Sequence, residues 1–277
     1  MNSNIENSIV NFVVLYNNEN EVLQYAKKLE LQKNKITLVV CVNKIKEDKK
    51  KSFVLETKKI NLNIIVYFLN NNVGYLNGML YGCKLYLQNN IIPDWSIFSN
   101  TDIEFDSNNY FERFLKKEYI DDIWIIGPAI YSSSVNSYQN PHYIKRQTKI
   151  SINKRIFIFN NLPLAYLYQK LSKLKLIILK KYKLKSCFVY SVHGSFFFLK
   201  KDLIEILLKN KFTPILYGEE LYIAEIVLQN NKKCYYDADI EIIHEGSTTT
   251  NKINFNNKSE LIVKALRFIK LNFYNKN

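Results

Sequence analysis

The sequence predicts an α/β domain, a mostly parallel central sheet with helices packed on both faces. Two observations carry that expectation. Short apolar runs rich in β-branched residues at 9–16, 36–42, 62–69 and 95–99 alternate with stretches of helical periodicity, the pattern of buried strands joined by crossover helices. Apolar residues make up 47% of the 277 and are spread along the whole chain, which is enough to bury a real core.

The elements follow in order. Residues 9–16 stop at Asn17-Asn18 and read as a first strand. Residues 21–31 carry Val22, Leu23, Tyr25, Ala26 and Leu29 at helical spacing, and 36–42 is a second strand. The Lys-rich span 43–51 reads as a loop, 62–69 as a third strand, 78–87 as a helix and 95–99 as a fourth strand. Further on, 122–127 and 188–199 read as strands, 201–208 as a helix, and 219–229 as a helix with Tyr222 and Ile226 facing inward. Residues 234–243 alternate like a strand, and 261–273 form a C-terminal helix.

One segment stands apart. Across 162–185, Leu164, Leu167, Leu171, Leu174, Ile178 and Tyr182 form one helical stripe, surrounded by seven lysines and no acidic residue. A basic amphipathic helix of this kind suits an anionic bilayer surface. It equally suits a helix packed on the domain with its lysines in water.

Charge narrows the partners. With 39 Lys+Arg against 25 Asp+Glu the net charge is +14, which favours nucleotide diphosphates, an anionic membrane or nucleic acid. No nucleic-acid-binding motif accompanies the charge, so nucleic acid is not an expected partner. Cys41, Cys83, Cys187 and Cys234 are far apart with no metal-type spacing and read as buried thiols in a reducing compartment. The first apolar run has no basic segment before it, unlike a signal peptide. No stretch approaches the roughly 18–20 uncharged apolar residues of a membrane-spanning helix. The expectation is a cytoplasmic protein, soluble or peripheral on the inner face of the cell membrane.

Four segments carry residues suited to chemistry. In 97–105 an apolar run enters Ser99-Asn100-Thr101-Asp102 and then resumes. A carboxylate at a strand end lies where open α/β sheets bind ligands and suits a hard divalent cation, although an isolated Asp there also serves as a turn cap. Asn72-Val73-Gly74-Tyr75-Leu76-Asn77-Gly78 leads into a helix; glycine permits close backbone approach and a helix start attracts anions. The pattern is neither GxGxxG nor a P-loop. Glu219 and Glu220 open a helix, either as partners of its dipole or as a general base for a hydroxyl proton. His244, one of three histidines, ends a strand and is a candidate metal ligand.

Taken in order over about residues 8–250, these segments resemble the GT-A family 2 glycosyltransferases, in particular the rhamnosyltransferase-like branch of bacterial surface polysaccharide synthesis. Tyr16-Asn17 matches the end of the family's first strand, and Asn72 to Gly78 its Asn-x-Gly-aromatic-x-x-Gly segment. Ser99-Asn100-Thr101-Asp102 stands at the Asp-x-Asp-type metal motif, in Asn-x-Asp form. His193-Gly194-Ser195 and the three phenylalanines after it match the acceptor-side strand; Gly218-Glu219-Glu220-Leu221 and His244-Glu245-Gly246-Ser247 match the closing helix and histidine.

The resemblance implies a Rossmann-like GT-A fold over 1–250, with 140–187 an acceptor- or membrane-side insertion and 251–277 a helical tail. It implies a nucleotide-sugar donor held by Tyr16, Asn17, Asn43, Asn72, Gly74, Asn77, Gly78, Asn100, Thr101 and Asp102. Mg²⁺ or Mn²⁺ is expected on Asp102, with Asn100 and His244. His193, Gly194 and Ser195 are expected on the side of a lipid-linked acceptor, with Glu220, or else Glu219, as base of an inverting transfer. One departure stands out: Cys41 or Val42 occupies the place of the family's base-recognising Asp, so the nucleotide is left open, with Asp48 as a substitute if the loop shifts register. The rival expectations are a nucleotidyltransferase, which lacks its phosphate loop here, and a degenerate, basic membrane-binding module.

Overall fold

The computed structural model describes residues 8–246 and 253–275; Ser247 of the closing motif and the expected boundary at 250/251 lie outside them. Strand β1 (Ser8–Tyr16) shows how the chain builds both sides of a sheet at once. Ile9, Val13 and Leu15 enter one apolar cluster, and Val10 and Phe12 enter the other, because successive side chains point to opposite faces. Strands β2 (Lys35–Lys44) and β4 (Trp95–Ser99) lie parallel to β1, and β3 (Asn63–Phe68) extends β2. Helices α1 (Glu19–Glu30), α2 (Glu47–Thr57) and α3 (Tyr75–Tyr86) make the crossovers.

The second half adds β5 (Ile103–Phe105), α4 (Tyr110–Leu115), β6 (Ile123–Ser132), β7 (Ser137–Tyr138), α5 (Lys149–Phe159), α6 (Leu162–Leu179) and β8 (Cys187–Val189). These are followed by β9 (Phe196–Lys200), α7 (Lys201–Lys209), α8 (Glu219–Gln229), β10 (Lys233–His244) and α9 (Phe255–Ile269). The sheet order is β3-β2-β1-β4-β9-β6-β10-β5, with β7 paired to β6 and β8 to β10. Strand β9 runs antiparallel to β4 and β6, β10 runs parallel to β6, and β5 runs antiparallel to β10. Helices α1, α2 and α4 cover one face; α3, α5, α7, α8 and α9 cover the other. The sheet is therefore mostly parallel with helices on both sides, as expected.

Two local expectations are corrected. The span 43–51 is not all loop: α2 begins at Glu47. Only Phe53 and Thr57 of that helix are buried while Leu55 is exposed, so its apolar period is too thin to read. Residues 188–199 are not one strand. They are β8 and β9 with a turn between, one paired to β10 and the other inserted between β4 and β6. The helices expected at 78–87 and 261–273 begin earlier, at Tyr75 and Phe255.

This topology gathers the candidate residues. The carboxyl ends of β1, β2, β4 and β10 and the amino end of β9 share one edge of the sheet, because β9 alone among them is reversed. A buried polar knot fixes that edge: Asn11 Nδ2 donates to Ser99 Oγ (2.9 Å) and Tyr25 OH donates to Asn11 Oδ1 (2.8 Å). All three residues are fully buried, so each partner lost is a desolvated group left unmet. Asn11→Ala is expected to cost about 2 kcal/mol in urea unfolding; a change under about 0.5 kcal/mol contradicts the role given to the knot.

Candidate active site

The site forms where β5 folds back on β10. Their register sets His244 opposite Ile103, and Glu245 N donates to Asp102 O (3.1 Å). Asp102 immediately precedes β5, so the ladder places its carboxylate against the last residue of β10. His244 Nε2 lies 3.1 Å from Asp102 Oδ2, and both side chains are buried, at 7% and 6% exposure. Neither Asp102 oxygen accepts a hydrogen bond.

Behind the imidazole, His244 Nδ1 faces Gln139 Oε1 at 2.8 Å, which orients the ring. Asn100 Nδ2 lies 3.3 Å from His244 Nε2. The Asp102 oxygens are buried without a hydrogen-bond partner. An unpaired buried carboxylate is costly, and a divalent cation bound there would satisfy it. Among the described residues no three His, Cys, Asp or Glu side chains converge as a metal cluster. Asp102 and His244 would give a cation two protein ligands, the rest having to come from elsewhere, as for one bound to substrate phosphates.

Across from this pair stands the turn 193–195. Asn100 N donates to Ser195 O (2.7 Å), joining the two loops. His193 Nδ1 lies 3.0 Å from Ser195 Oγ, and His193 N donates to Asn140 Oδ1 (2.8 Å). A Cβ on Gly194 would stand 2.8 Å from Glu220 Oε1, so a side chain there collides with the carboxylate. Tyr75 OH donates to Gly194 O (3.0 Å), bringing the start of α3 to the same turn. Glu219 is buried, and its Oε2 has no hydrogen-bond partner. Burial first, and the negative charge of Glu220 second, push its carboxyl up to about 8. Glu219 thus keeps a proton at neutral pH.

On the other side of Asp102 lies a cleft of about 440 Å³, lined by Asn17, Asn18, Glu19, Lys49, Thr101 and Asp102 among others. Asn17 takes a left-handed φ of 53° as β1 ends. Asn18 bridges the cleft by accepting from Tyr16 N (2.8 Å) and donating to Thr101 Oγ1 (3.2 Å). Asn43 Nδ2 donates to Gly74 O (2.8 Å), while its buried Oδ1 has no partner. Gly74, at φ 93°, leaves its missing Cβ only 2.2 Å from Ile215 O, so no other residue fits. Asn72 accepts from Gly74 N (3.0 Å) and Asn77 donates to Val73 O (3.1 Å); both brace the segment around Gly74. Gly78 presses against Val14 and Asn43. Cys41 and Val42 are core residues, and Asp48 is exposed in the first turn of α2. Lys49, ion-paired with Glu19, is the α2 residue that reaches the cleft.

Sequence reasoning missed Gln139, Asn140 and His142. His142 and His193 have ring centroids 6.1 Å apart, as do His193 and His244. All three histidines of the chain therefore line one side of the site. Burial pushes the His142 and His193 imidazoles down to about 3, so both are neutral. Residue scarcity was the one available signal for His142; Gln139 and Asn140 had none.

No family model and no curated protein matches the chain by sequence. Among solved structures it is similar to the mannosyltransferase PcManGT from Pyrobaculum calidifontis, in complex with GDP-Man and Mn²⁺. That likeness has a TM-score of 0.53 at 11% identity, covering 96% of this chain and 70% of that one. GalNAc-T7 with UDP, GalNAc and Mn²⁺ aligns with a TM-score of 0.49 at 14% identity, covering 86% and 43%. The chain has the GT-A glycosyltransferase fold.

The buried Glu219 has a consequence for stability. A carboxyl whose folded value rises from 4.5 to about 8 binds its proton more tightly folded than unfolded. Stability is therefore lost as pH climbs through that window. Glu219→Gln removes the dependence: its Tm should exceed that of the unmodified protein at about pH 8 and differ less from it near pH 5. Parallel pH profiles for the two proteins contradict the assignment.

Proposed function

We propose that the protein is a metal-dependent, inverting glycosyltransferase that moves a sugar from a nucleoside-diphosphate donor to a hydroxyl of a lipid-linked glycan. The family resemblance suggests bacterial surface polysaccharide, O-antigen or capsule, as the product. The observation that carries this reading is the buried facing pair of Asp102 and His244, with the Asp102 oxygens lacking a hydrogen-bond partner. Asp102 also lines a cleft of about 440 Å³, and Glu220 of α8 approaches the 193–195 turn joined to Asn100. The neighbour complexed with GDP-Man and Mn²⁺ supports it through the fold.

Each side has a task. Asn17, Asn18, Thr101 and Asn43, with the backbone of Gly74, shape the donor side. Asp102 and His244, with Asn100, would hold Mn²⁺ or Mg²⁺. An imidazole ligand favours Mn²⁺, because Mg²⁺ prefers oxygen. When bound, such a cation would supply charge neutralisation for the departing diphosphate. On the acceptor side the His193–Ser195 turn presents the hydroxyl to Glu220. Glu220 takes the hydroxyl proton as the oxygen attacks the anomeric carbon. The bond from that carbon to the diphosphate oxygen breaks, and its electron pair leaves with the nucleoside diphosphate.

Donor turnover assayed with Mn²⁺ and Mg²⁺ across UDP-, GDP- and dTDP-sugars tests the reading. Turnover of one donor is expected, stimulated by metal and lowered about 100-fold or more by Asp102→Asn. Glu220→Gln should lose about 10²–10⁴-fold in transfer while keeping donor affinity. Loss of transfer in Glu219→Gln instead reassigns the base. Full activity of Asp102→Asn overturns the metal role, and no turnover of any donor supports a degenerate domain.

A further inference from the structure

Helix α6 begins from ordinary signals. Asn161 Oδ1 accepts from Leu164 N (3.3 Å) and Pro163 sits in the first turn, both helix-start features. Ala165, fully buried, and Tyr168, edge-on to Phe159 at 5.7 Å, fasten this end to the domain. The apolar stripe faces the other way. Leu164, Leu167, Leu171, Leu174 and Ile178 are exposed, from 40% at Leu164 to 64% at Ile178. A helix that serves a core turns its stripe inward; α6 does the reverse. The helix thus packs on the domain at its start while most of its stripe stays outside.

Charge is concentrated in the same region. Between Asp122 and Asp202 the chain has 14 Lys and Arg and no acidic residue, which accounts for the entire net charge of +14. At 3.6 residues per turn, Lys170 and Lys175 fall about 70° to either side of the stripe's centre. Long cationic side chains so placed reach sideways to headgroups while the leucines face the acyl boundary.

We propose that the outward face of α6 docks on an anionic lipid bilayer. A nucleic acid answers the lysines and offers nothing to five aliphatic side chains. A second copy answers the stripe but brings two lysine-rich flanks together. An anionic bilayer satisfies both features. No helix among the described residues is long and apolar enough to cross a membrane, so the contact lies in the interface plane. The far end of α6 is tied to the site: Lys180 Nζ donates to Gln139 O (2.9 Å) and Pro141 O (2.5 Å). Gln139 is the residue that orients His244. Docking therefore sets the acceptor side of the site beside the lipid, though lipid binding itself does not rest on the sugar-transfer reading.

The test is sedimentation of the full chain with vesicles of phosphatidylcholine alone or with about 30% phosphatidylglycerol. Two variants are compared, L167E/L171E/L174E and K170S/K173S/K175S, each checked for an unchanged thermal melt. The unmodified protein should bind anionic vesicles at least about tenfold more tightly than neutral ones, and each variant should lose about tenfold or more. If the leucine variant does not fold, the lysine variant decides. Absence of vesicle binding, unaltered binding by the variants, or a dimer that covers α6 and excludes lipid overturns the proposal.

Discussion

The β5–β10 ladder forces a buried carboxylate and a buried imidazole to face each other, and the arrangement of the site follows from that constraint. Asp102 is brought against His244 because a three-residue strand reverses onto the end of β10. Gln139 then fixes the orientation of the ring. Backbone hydrogen bonds and the apolar core beneath hold the two side chains in place, so a cation bound between them would meet an arrangement already formed.

The rest of the edge supports that pair. The Asn11–Ser99–Tyr25 knot anchors β4 just before Asn100. Asn140 holds the backbone of His193, and Tyr75 holds that of Gly194. The glycine at 194 leaves Glu220 room to approach this turn. Burial keeps Glu219 protonated at neutral pH beside Glu220.

Strand positions and the segment order were legible in the sequence, because buried strands read as apolar runs and the site residues cluster at their ends. Asp102 and His244 were singled out this way, and Glu219 and Glu220 as carboxylates opening a helix. The turn at 190–195 was not, since its flanks are equally apolar and only long-range pairing splits them into β8 and β9. Helix α2 was hidden by having just two buried positions. Gln139, Asn140 and His142 matter through partners about 50 to 105 residues away, and no local pattern marks such contacts. The stripe of α6 was visible, but which way it faces was a tertiary fact.

The central claim is that Asp102 and His244 act as one cation site. Calorimetric titration of Mn²⁺ with a nucleoside diphosphate into the unmodified protein, Asp102→Ala, His244→Ala and the double variant tests it most directly. Each single change should weaken Mn²⁺ binding about tenfold or more, and the double variant should be little worse than the poorer single, a coupling of about 1 kcal/mol or more. Unchanged affinity in Asp102→Ala, or losses that simply add, would contradict it.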